Sequence, residues 1–89
     1  MNGRYGNAAP GELVPGLTLP PAIHGELRQL LARIESAGAA EYPRAQARAE
    51  GVVRGLEVGQ VLDQARIERL YLLIEDVATA RALELESGG

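Results

Sequence analysis

The sequence predicts an all-α protein, a small antiparallel three-helix bundle with an extended or flexible N-terminal arm. Three observations carry that expectation. Apolar residues recur at spacings of three and four along three stretches, each stretch is bounded by residues that start or stop helices, and no run alternates as a half-buried strand would. The 89 residues suffice for one domain whose core leaves a small stability margin unless a partner adds contacts.

Residues 1–18 contain Pro10, Pro15 and several glycines, with Leu13, Val14 and Leu17 at no regular period. They are expected to form a flexible or extended arm rather than an element. Residues 19–86 are expected to form the helical domain and 87–89 a flexible tail.

The first helix is expected over 20–37, with Thr18 as N-cap and two prolines in the first turn, where a missing N–H costs nothing. Ile23, Leu27, Leu30, Leu31 and Ile34 make its buried face, and Gly38 suits a left-handed C-terminal stop. The second helix is expected over 40–58, opened by Glu41 and Pro43. Its apolar side carries Tyr42, Ala45, Ala49, Val52, Val53 and Leu56, and Glu50 and Arg54 stand at i, i+4 on another side. The third, over 63–85, has Asp63 as cap and Leu62 with Ile67 where a hydrophobic staple would form. Ile67, Leu70, Tyr71, Ile74, Val77 and Ala78 form its inward stripe, on which Arg81 also falls.

The composition narrows the function classes. Cysteine is absent, which removes disulfides, thiolate chemistry and cysteine metal sites. No segment has the apolar length of a membrane span or signal peptide, so no membrane association is expected and the protein reads as cytoplasmic. Net charge is −3, with the excess acid after Val61, and the broad basic footprint of a nucleic-acid binder is missing. All nine basic residues are arginine; together with heavy Ala and Gly usage, this suggests a GC-rich, bacterial coding sequence.

No catalytic constellation, cofactor motif, metal-ligand spacing or small-molecule site is evident. The single histidine, His24, lacks partner ligands at helical spacing, and no nucleophile, base and orienter can be named. The chain is therefore expected not to be an enzyme and to need no cofactor.

Two features exceed what a solvated bundle requires. In Tyr71-Leu-Leu-Ile-Glu75, Leu72 and Leu73 fall outside the inward stripe, and Leu83 shares the side of Leu72. Leu72, Leu73 and Leu83 are the expected protein-interaction residues, and a homodimer or another protein is the expected partner. In Gly51-Val-Val-Arg-Gly-Leu-Glu-Val-Gly59, glycine recurs every fourth residue at a cost of about 1 kcal/mol each relative to alanine. Gly51 and Gly55 are expected to admit a close helix, from this chain or a second copy; Gly59 reads as the helix end, and coding bias is the competing source of the glycines. Arg44 and Arg48, one turn apart, offer an anion or acidic-partner contact, weighed against an ordinary solvated face.

The expectation is a small adaptor or regulator acting by surface occupancy and self-association. The alternatives are a nucleic-acid-binding regulator, in which the third helix would present Arg66 and Arg69, and a structural component of a larger assembly.

Overall fold

A computed structural model describes residues 8–88, and what was expected of residues 1–7 and 89 lies outside them. The chain is mostly helical, with strands β1 (Glu12–Val14) and β2 (Leu17–Thr18) followed by helices α1 (Pro21–Ser36), α2 (Tyr42–Val58) and α3 (Gln64–Ser87). Each helix packs against the other two, and β1 also touches α1.

The hairpin corrects the expectation that this region holds no element and no strand. Two Pro-Gly dipeptides, Pro10-Gly11 and Pro15-Gly16, each place proline before a glycine of positive φ, 88° and 82°. Proline presets the first turn position and only glycine takes the second without strain, as in type II turns. The first turn closes where the Glu12 N–H donates to the Ala9 carbonyl at 2.9 Å, and the Glu12 carboxylate accepts from the Ala9 N–H at 3.0 Å. The second joins β1 to β2 as an antiparallel pair with Val14 opposite Leu17 and an irregularity between Glu12 and Val14. Leu13, Val14, Leu17 and, just beyond, Leu19 are thereby buried in the same core as the helices.

The helical apolar stripes occupy that core as their spacing predicts. Leu27, Leu30, Leu31 and Ile34 of α1, Ala49 and Val53 of α2, and Ile67, Leu70, Ile74, Val77 and Ala78 of α3 are buried. Ile23, Ala45, Val52, Leu56, Leu62 and Tyr71 pack at its margin. α2 contributes least, because its buried side chains are one alanine and one valine.

Several helix ends differ from expectation. Pro20, not Thr18, occupies the N-cap of α1, because Thr18 is engaged in β2. α1 ends where Ala37 turns extended, with φ −76° and ψ 150°, and Gly38 is not left-handed. Asp63 stands at the N-cap of α3 without a capping bond; its Oδ1 instead pairs with the Arg66 guanidinium at 2.9 Å. Glu50 accepts a hydrogen bond from Gln46 Nε2 at 3.2 Å rather than pairing with Arg54.

α2 ends in a Schellman motif displaced by one residue from its glycine. The Val61 N–H donates to the Leu56 carbonyl at 2.9 Å and the Gln60 N–H to the Glu57 carbonyl at 3.0 Å, the 6→1 and 5→2 bonds of that motif. Gly59 keeps helical angles, φ −78° and ψ −2°, while Gln60 takes the left-handed position at φ 55°.

Candidate functional site

Three arginines of α3 decide which of its faces are covered. Arg66 Nε donates to the Thr18 carbonyl at 3.0 Å, and Arg69 donates through both terminal nitrogens, to the Gly16 and Pro15 carbonyls, at 3.0 Å each. The planar guanidinium suits this two-point grip on consecutive carbonyls. Further along, Arg81 Nε donates to the Ala37 carbonyl at 2.7 Å, at the C-terminal end of α1, where exposed carbonyls favour a cation. An arginine on the inward stripe is thus accommodated by snorkelling to the end of a neighbouring helix.

The hairpin held by Arg66 and Arg69 covers one flank of α3 and corrects the assignment of Leu73. Leu73 is only 9% exposed and belongs to the core. It shares a surface groove with Val14, so the hairpin widens the apolar arc of α3. Leu72 and Leu83, by contrast, are 60% and 59% exposed. Eleven residues separate them, which at about 100° per residue returns to within about 20° of the same direction. Asp76 and Thr79, both exposed, lie between them on that line.

On α2 the outward line is Arg44, Arg48, Gly51, Gly55 and Val58, all exposed. A Cβ added at Gly51 or Gly55 would meet nothing within 4 Å. The expectation that a helix of this chain passes close to these glycines is therefore overturned: α1 and α3 pack on the Ala49 and Val53 side, and the glycines look away from them. Arg44 and Arg48 form no hydrogen bond or ion pair with a described residue. Val58, 73% exposed, completes this face and was not singled out from sequence, where a lone valine at a helix end gives no signal.

No family model matches this chain. Nor does any curated protein or solved structure.

Between α2 and α3 an open groove of about 250 Å³ is lined by Tyr42, Gln46, Glu75, Thr79, Ala82 and Leu83, among others, so Leu83 borders a depression of mixed polar and apolar lining. A second groove, about 220 Å³, is lined by Gly11, Leu19, Pro21, His24 and Gly25; His24 Nδ1 is buried without a hydrogen-bond partner. Among the described residues no group of three or more His, Asp or Glu is placed to hold a metal ion, and no helix is long and apolar enough to cross a membrane. Tyr71 is the one described group whose pKa departs clearly from its ordinary value. Its hydroxyl donates to Glu57 Oε1 at 3.3 Å, and its pKa is raised, first by desolvation and then by the Glu57 carboxylate.

Proposed function

We propose that this protein is a small, non-enzymatic, cytoplasmic interaction module of bacterial type, a regulator or adaptor that acts by occupying a protein surface and associates with itself. The observation carrying the reading is the pair of leucines, Leu72 and Leu83, aligned on the side of α3 turned away from the core and each more than half exposed. Chains this small seldom leave large aliphatic side chains aligned on one helix face without a contact to make. The linkers at 37–41 and 59–63 are short enough to favour an antiparallel three-helix arrangement as the scaffold.

The nucleic-acid reading loses its main support, because Arg66 and Arg69 direct their guanidinium groups to hairpin carbonyls. Light scattering coupled to size-exclusion chromatography tests the proposal. The expected mass for the wild type is a multiple of the 9.4 kDa chain. Leu72→Glu/Leu83→Glu is expected to run as a monomer with unchanged helical circular dichroism. A wild type that stays monomeric at every concentration reached overturns self-association.

A further inference from the structure

Two outward faces among the described residues have the same period and opposite charge. On α2, Arg44, Arg48, Gly51, Gly55 and Val58 follow one another at spacings of four, three, four and three. On α3, Leu72, Asp76, Thr79, Leu83 and Glu86 follow at the same spacings, and all ten residues are exposed. Each stripe extends about 21 Å along its helix. Four-three spacing is the seam that lets two helices run side by side with knobs in holes.

From these stripes we infer that the α3 face of one copy packs on the α2 face of a second copy, with the middle of the α3 stripe, around Thr79, over the glycines. The shapes are compatible: a Cβ added at Gly51 or Gly55 would meet nothing within 4 Å, which leaves room for the α3 stripe to approach, while Leu72 and Leu83 project to either side of its middle. The charges correspond as well. The α2 stripe carries two arginines and is flanked by exposed Arg54, while the α3 stripe carries Asp76 and Glu86 and is flanked by exposed Glu75. The two acids within α2 lie on other sides and are engaged there, Glu50 with Gln46 and Glu57 with Tyr71, while exposed Glu41 stands at the N-cap beside Arg44. Arg69, which borders the α3 stripe, is drawn to the hairpin.

Charge also selects against the simpler alternative. Two α3 faces meeting each other would gather Glu75, Asp76 and Glu86 of both copies into one acidic interface, and like charges across an interface suppress association. Pairing α2 with α3 replaces that repulsion with attraction and places no two leucine-bearing acidic faces together. The inference rests on the self-association proposed above and assigns its second surface.

The test is charge reversal with mixing, read by sedimentation velocity on the full chain. Arg44→Glu/Arg48→Glu alone and Asp76→Arg/Glu86→Arg alone are each expected to weaken self-association at least about tenfold, and an equimolar mixture of the two is expected to restore it. Rising salt is expected to weaken the wild-type assembly. If the arginine variant associates like the wild type, or the mixture remains dissociated while the wild type associates, the α2 assignment is wrong although self-association stands. If the wild type itself does not associate, both readings fall. Circular dichroism of each variant separates a lost contact from a lost fold.

Discussion

Arg69 holds the turn at Gly16 from 53 positions along the chain, donating to its carbonyl at 3.0 Å and to that of Pro15 at the same distance. The contact joins the beginning of the described chain to the second turn of its longest helix. Through it a pair of strands too short to be stable alone becomes part of the core.

Replacing Arg69 by alanine is expected to lower stability by about 1 kcal/mol, the value of charge-assisted hydrogen bonds discounted for solvent exposure. Lysine should recover only part of the loss, since a single ammonium cannot reproduce the fork that spans two carbonyls. Urea unfolding measures the difference. Hydrogen exchange should show faster exchange at Val14 and Leu17 before the helices are affected; equal effects of alanine and lysine would contradict the two-point grip.

Leu72 and Leu73 are adjacent in sequence and should respond oppositely. Leu73→Glu places a charge in the core and is expected to cost several kcal/mol, enough to unfold a marginal domain. Leu72→Glu should leave the monomer's unfolding free energy unchanged within about 0.5 kcal/mol. Unfolding curves at low protein concentration decide, because association would otherwise add to the apparent stability.

Gln60 holds the left-handed position that a Schellman motif reserves for glycine. Gln60→Gly should therefore stabilise the protein by about 1 kcal/mol, the strain of a side chain at positive φ less the added freedom of the unfolded chain. The thermal midpoint should rise. A fall would mean that the Gln60 side chain makes a compensating contact.

Gly51 and Gly55 have open space around them in the monomer, so alanine at either should raise monomer stability by up to about 1 kcal/mol through helix propensity. Thermal unfolding of dilute Gly51→Ala and Gly55→Ala checks this. A loss of stability at high dilution would mean that something within the chain approaches these positions.

Tyr71 gives a pH dependence with a definite sign. Its folded pKa lies above the ordinary 10.0, so the folded protein holds this proton more tightly than the unfolded chain. The associated stability is fully present below pH 10 and is lost as pH rises through the raised folded value. Ultraviolet titration of the folded protein should show a phenolate component above pH 10 that disappears in Tyr71→Phe.

Much of the helical frame was legible in sequence. The spacing of Leu27, Leu30, Leu31 and Ile34, and of Ile67, Leu70, Ile74 and Val77, placed two helices and their buried faces, since a period near 3.6 can be buried along one side only as a helix. The hairpin was harder to see, because strands of three and two residues carry no measurable period; its only signal was the Pro-Gly pair repeated five residues apart. Arg66, Arg69 and Arg81 were equally opaque, because their carbonyl acceptors lie more than forty residues away and backbone acceptors leave no mark in the side-chain sequence.

The sequence by itself determined that this is a small, mostly helical, cysteine-free chain with more aliphatic surface on α3 than one stripe requires. Only the tertiary structure decided that Leu73 is core and Leu72 is surface. Neighbouring residues on a helix differ by about 100°, and which of those directions becomes interior depends on what packs beside it. Here that was a hairpin gripped by arginines from the far side of the chain. The same long-range packing turned Gly51 and Gly55 toward solvent, where their spacing alone had suggested a neighbour.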